Sequence, residues 1–466
     1  GHVAKQQVGD FTGVLAPFAA KSFASGFAAS EGDIGAQAMV ELPDGSFLVS
    51  GGTLRNEVFA FAEKGGRNTT PLFELSEPIV DMAVDAFGQL WVMTGHELLQ
   101  LDASSGVVVR RVQGPAQAPM THALAIEPDT GHIYVSFGDG IKVFDPTATA
   151  TEGAWRTFSK MRVGDLAFGP DGRLWGVRWS GTDITAASSF PTTDIVSFPM
   201  TGRTQGRGEL EFRLAGVIDS IAFGLMGTPL EGLLFASSNT TQQPVGGDAQ
   251  ERRDAKLWMI ELDSRRVLQL AKGGSRGESV VATSDGRILV AQTNQVDEIA
   301  PAQAPVVQAV SVPDGSLVPL PMQRIGVVFD QAMWLGSDAD AGSVLNVANY
   351  SLTAVGDNAG AVLLPQSVAW DAATNTAWLD VGQIDPGQYQ LEIKSRLQSD
   401  AELALESAYI STFTALNDMT AQLRLEFAGT RADRLTGAVS YDVIITNIGE
   451  DDIKGPMTLL LDPGRY

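Results

Sequence analysis

The chain offers few residue types for chemistry. It has four histidines and no cysteine among 466 residues, which excludes thiol nucleophiles, disulfide frameworks and cysteine-ligated metal sites. Imidazoles and carboxylates remain. His96 and His122 have the side chain for an acid–base pair. Asp81, Asp165, Asp219 and Glu278 supply carboxylates, and the three aspartates suit a hard cation, with calcium the expected ion. A plainer role competes, because short acidic side chains at strand starts accept backbone N–H groups. Trp179 adds an aromatic face on which a ligand could stack. These residues are far apart in sequence, so any site requires a fold that gathers them.

Lys plus Arg number 32 against 55 Asp plus Glu, a formal charge of −23. Such a chain repels phosphate backbones and anionic lipid, so neither nucleic acid nor a membrane surface is the expected partner. No apolar run reaches the length of a membrane-spanning helix. The opening Gly1-His2, without an initiator Met, predicts processing or tag removal, with loss of a signal segment before export.

The positioning elements are short strands. Fifty glycines and 22 prolines punctuate brief apolar runs, and a turn glycine followed by an apolar pair recurs at Gly45, Gly88, Gly131, Gly172, Gly232 and Gly286, at spacings of 43, 43, 41, 60 and 54 residues. The third position after each glycine reads Leu48, Trp91, Tyr134, Trp175, Phe235 and Leu289. A preceding strand centres on alanine, as in Met82-Ala83-Val84 and Leu166-Ala167-Phe168. The last unit lacks a fourth strand, which the stretch from Phe11 to Phe27 is expected to supply, closing the ring and removing exposed edges.

Gly88-Gln89-Leu90-Trp91-Val92 with Leu101-Asp102-Ala103-Ser104-Ser105-Gly106, and Phe168-Gly169-Pro170-Asp171-Gly172-Arg173-Leu174-Trp175, resemble six-bladed β-propellers of the kind shared by NHL repeats, streptogramin lyases and the lactonase-like group. The resemblance implies a propeller over residues 1–300. It also implies an alternative activity, a lyase or lactonase using mouth-facing His96, His122 and the carboxylates.

After Ala300 the repeat phase breaks, and Pro301-Ala302-Gln303-Ala304-Pro305 reads as a linker. Ile325-Gly326-Val327-Val328-Phe329-Asp330, Asn349-Tyr350-Ser351-Leu352 and Asp385-Pro386-Gly387-Gln388-Tyr389-Gln390-Leu391-Glu392-Ile393 resemble the bacterial Ig-like modules of surface-layer and adhesin proteins. Residues 301–416 are thus expected to form one β-sandwich, with Tyr389, Leu391 and Ile393 on one face. Residues 417–466 resemble the opening of a third sandwich module, which predicts that the natural protein continues past Tyr466.

The fold class is all-β: a six-bladed β-propeller followed by Ig-like β-sandwich domains. In such a ring the loops before each first strand and after each second strand share one face. Asp81, His96, His122, Asp165, Asp219, Glu278 and the long loops 180–193 and 239–255 fall there, whereas His132 falls on the other face. The leading expectation is a non-catalytic exported or cell-surface protein. Its propeller face binds a protein, glycan or polymer, with the sandwich modules as spacers; a purely structural stalk is the third reading. Gly273-Gly274-Ser275-Arg276-Gly277 matches a nucleophile-elbow pattern by chance, since it lies between strands. Ser337-Asp338-Ala339-Asp340-Ala341-Gly342 lacks the downstream Glu of a calcium loop.

Overall fold

In a computed structural model, residues 9–115, 119–149, 154–179, 192–239, 254–356, 359–433, 435–455, 457 and 459 are described. They are almost entirely β, with short turns between antiparallel strands. They divide into two units, Gln6–Ala302 and a second that includes Gln303–Tyr466.

In the first unit the glycine-punctuated repeats become six sheets. Their first strands are Met39–Glu41, Asp81–Val84, Met120–Ile126, Leu166–Phe168, Ile218–Phe223 and Val280–Ala282. Each first strand packs beside the first strand of the next sheet, and Val280–Ala282 packs beside Met39–Glu41. The ring is therefore closed, the arrangement of a β-propeller. The turns that carry the repeat use glycine where φ is positive, as at Gly45 (φ 82°) and Gly172 (φ 75°).

Blade six obtains its fourth strand from the other end of the unit. Phe18–Ser25 pairs antiparallel with Gln295–Pro301, so the two ends of the propeller lock into one sheet. Two further pairings were not legible in the sequence. Gly13–Val14 adds a fifth strand to blade five, and Gly66–Arg67 lies parallel to Ala24–Ser25.

The core of this unit is a set of layers between blades. Phe23, Phe47 and Leu289 fill the space between blades six and one. Trp91, Val135 and Phe144 fill that between two and three, and Tyr134, Val143 and Leu174 that between three and four. This is why both faces of the second strands are apolar: Leu90–Met93 and Ile133–Phe137 are buried at every position. Trp91 is 2% exposed, and its truncation to Ala would cost about 3–5 kcal/mol.

The second unit contains two sheets. One orders Val307–Val310, Arg324–Phe329, Thr376–Asp380 and Ser367–Asp371; the other orders Leu317–Leu320, Tyr409–Asn417, Gly387–Ile393, Tyr350–Val355 and Val362–Leu363. Val327, Phe329, Tyr350, Leu391 and Phe413 belong to one shared core, which makes the pair a sandwich. Tyr389, Leu391 and Ile393 are all buried, as their alternation predicts. Leu423–Ala432 and Val439–Asn447 form a separate hairpin; the third strand expected there, 457–461, falls largely outside the described residues. No helix among the described residues is long and apolar enough to cross a membrane.

Candidate functional site

The strand-start residues fall into two registers that differ by one position. Met82, Leu124, Leu166, Ile221 and Val280 lie opposite Val92, Val135, Gly176, Ala236 and Val290 of their second strands, which fixes the equivalence between blades. Asp81 and Asp165 immediately precede that position, in the register of Ser220, whereas His122, Asp219 and Glu278 stand one residue earlier. Successive side chains along a strand face opposite ways, so the two sets have different surroundings.

The first register joins blades together. Asp81 accepts the N–H of Met82 through Oδ1 at 2.8 Å and that of Leu124, on the next blade, through Oδ2 at 2.9 Å. Asp165 repeats the pattern, accepting from Leu166 at 2.9 Å and from Ile221 of the next blade at 2.7 Å. Ser220 Oγ accepts the N–H of Val280 at 3.1 Å, carrying the same link from blade five to blade six. Desolvation, and then the charge of Asp165, push the Asp81 carboxyl up, while desolvation pushes Asp165 up to about 6. The amide-accepting role weighed for these aspartates is thus the one the geometry displays.

Asp219 and Glu278 form a second group. Glu278 Oε1 accepts from Asn239 Nδ2 and Arg276 Nε, both at 2.9 Å. Burial, followed by the charge of Glu278, raises the Asp219 carboxyl. Among the described residues, no three His, Asp or Glu side chains converge in a way that could hold a metal ion.

His96 and His122 separate. His96 is exposed, and its Nδ1 lies 3.4 Å from Glu77 Oε2. His132 lies between Glu127 and Asp145 at 3.8 and 3.7 Å. His2 and most of the loops 180–193 and 239–255 fall outside the described residues.

His122 instead meets Trp179. The two rings stand edge to face with centroids 5.0 Å apart. Trp179 is half-buried, and its Nε1–H donates to the carbonyl of Ile218 at 2.9 Å. Its ring lies so close to Gly164 that a Cβ there would sit 2.5 Å from the indole, which explains why blade four has glycine in the register that holds His122, Asp219 and Glu278 on other blades. Both side chains line a hollow of about 440 Å³ between blades three and four, together with Thr121, Lys160, Met161, Arg162 and Arg178. Although solvent reaches His122, desolvation by the walls holds its imidazole below the ordinary range; Glu278 opposes this shift and Arg162 adds to it.

Lys160, Arg162 and Arg178 were not singled out from the sequence. The available signal was a local excess of basic residues across 160–178, Lys160, Arg162, Arg173 and Arg178 against Asp165 and Asp171, in an acid-rich chain. Three asparagines of Asn-X-Ser/Thr sequences, Asn68, Asn239 and Asn349, hold structural positions. Asn349 is fully buried, and Asn68 and Asn239 donate to Ala60 O and Glu278.

Fold and hollow together define a β-propeller with a ligand-sized recess, in a chain that also carries a β-sandwich. No family model and no curated protein matches this sequence. Among solved structures, the extracellular domain of BT4673 from B. thetaiotaomicron is 12% identical, with a TM-score of 0.37 over 83% of this chain and 57% of that one. The chain therefore spans little more than half of that relative's length. A streptogramin B lyase structure is 13% identical, with a TM-score of 0.38 over 61% of this chain and 98% of that one. The holo PQQ domain of pyranose dehydrogenase from Coprinopsis cinerea is 10% identical, with a TM-score of 0.45 over 63% and 98%. Ring closure and strand order define the propeller without reference to these likenesses.

Proposed function

We propose that the chain is a non-catalytic binding protein, exported or displayed at a cell surface, in which the propeller takes up a glycan, polymer or protein group in the hollow between blades three and four. The sandwich, of Ig-like type, and the terminal hairpin act as spacers. The single observation that carries this reading is the division of labour between the registers. Asp81 and Asp165 already accept backbone amides across blades, whereas His122, Trp179 and the neighbouring cations line an open recess.

The lyase or lactonase reading requires His96 and His122 to work on one substrate. His96 lies against Glu77 and is not part of the hollow's lining, which favours binding over turnover. The test is a panel of glycans, wall polymers and surface proteins offered to the full chain and to Trp179→Phe and Trp179→Ala. Saturable binding that weakens in both variants is expected, measured at a temperature where melting curves show each variant still folded. Turnover of a lactone or streptogramin that disappears in His122→Ala would overturn the proposal.

A further inference from the structure

We infer that the hollow between blades three and four recognises a carboxylated sugar, such as an acidic residue at the end of a glycan. This rests on the binding reading above and adds the chemistry of the occupant.

Charge is the first argument. Lys160, Arg162 and Arg178 line one recess, and none of the three has an ion-pair partner among the described residues. Some cations of the propeller are paired, such as Arg173 with Glu209 at 2.8 Å, Arg213 with Asp194 at 2.6 Å and Arg287 with Glu298 at 2.9 Å; what sets Lys160, Arg162 and Arg178 apart is that they share one hollow. In a chain of net charge −23, three cations around one hollow, without an ion-pair partner among the described residues, favour an anionic occupant. Guanidinium groups suit a carboxylate, because their fork donates two parallel hydrogen bonds to it.

The sugar component follows from the other walls. Trp179 is held by Ile218 O and by contact with Gly164, so its ring is a fixed apolar platform of the kind that packs on the C–H face of a pyranose. Thr121 supplies a hydroxyl, and His122, kept neutral by desolvation, offers a donor and an acceptor for sugar hydroxyls. The volume of about 440 Å³ lies within the range of small-ligand sites. A long polyanion would meet the repulsive net charge of the whole molecule, whereas a short or terminal acid feels mainly the cations within a Debye length of about 8 Å.

The experiment is calorimetric titration of the full chain with a short oligogalacturonate and with its methyl ester, which keeps the shape and removes the charge. Binding of the acid is expected, with affinity falling about tenfold for the ester and for Arg162→Gln or Arg178→Gln, and falling as salt rises. Equal binding of acid and ester would overturn the acidic specificity while leaving the binding reading intact. Acid binding unchanged in both arginine variants would remove the hollow as its site. Poly-glutamate binding as tightly as the sugar acid would overturn the saccharide assignment. If neither acid nor ester binds, the inference fails; a Trp179-dependent partner from the broader panel would then show that the binding reading survives it.

Discussion

The carboxylate of Asp165 on blade four accepts the backbone N–H of Ile221 on blade five at 2.7 Å. An acidic side chain here does what a ladder hydrogen bond cannot, since the first strands of adjacent blades belong to different sheets. Asp165→Ala should leave the amides of Leu166 and Ile221 without their acceptor and cost about 2–4 kcal/mol. Asp165→Asn, which retains an acceptor oxygen, should cost less. Urea unfolding checks this. Equal stability of Ala and wild type would show that the amides find other partners.

These buried carboxylates invert the usual pH dependence. Burial pushes Asp165 and Asp297 up to about 6, and Asp81 in the same direction. A raised native pKa means that the folded state holds protons the unfolded chain has lost. Stability should therefore be lower at neutral pH and rise as the pH falls from about 7 towards 5. His122, held low, acts oppositely around its unfolded value of 6.5 and offsets part of the gain. The lowered, exposed Asp44 and Asp102 act only below the ordinary carboxylate range. Melting curves should show the acid-side rise, flattened in a variant combining Asp165→Asn with Asp297→Asn. A steady fall over the same window would contradict the assignment.

Ring closure depends on a second carboxylate. Asp297 Oδ2, on blade six, accepts the N–H groups of Asp10 and Phe11 at 2.6 and 3.0 Å, in the segment that leads through Gly13–Val14 into Phe18–Ser25, the strand that completes blade six. Asp297→Ala should destabilise the propeller by about 3 kcal/mol and raise amide exchange in Phe18–Ser25 ahead of the other blades. Uniform exchange across all blades would show that closure is not the weak point.

Calcium is expected to leave the melting temperature unchanged, because Asp81 and Asp165 already accept two backbone amides each and, among the described residues, no three acidic or imidazole side chains converge around Asp219 or elsewhere. A concentration-dependent rise at millimolar calcium would require a bound ion.

Much of the scaffold was legible because its cause is local. Positive-φ glycines and alternating apolar pairs repeat once per blade, and the unpaired sixth unit pointed to an N-terminal strand. The site was less legible. Asp81 and His122 look alike as polar residues at strand starts, and only the pairing register shows that they differ by one position and hence in surroundings. His96 was grouped with His122 because their loops share a face, but in the fold His96 lies against Glu77 and does not line the hollow. The cations Lys160, Arg162 and Arg178 come from the segment before blade four and the end of its second strand, and they meet only in the folded chain.

Arginine-specific modification with phenylglyoxal, mapped by mass spectrometry with and without bound oligogalacturonate, tests the hollow most directly. The account predicts that Arg162 and Arg178 are protected while Arg111, paired with Glu97 on blade two, reacts equally in both states. Unchanged reaction at Arg162 and Arg178 under saturating ligand, or protection confined to arginines elsewhere, would contradict it.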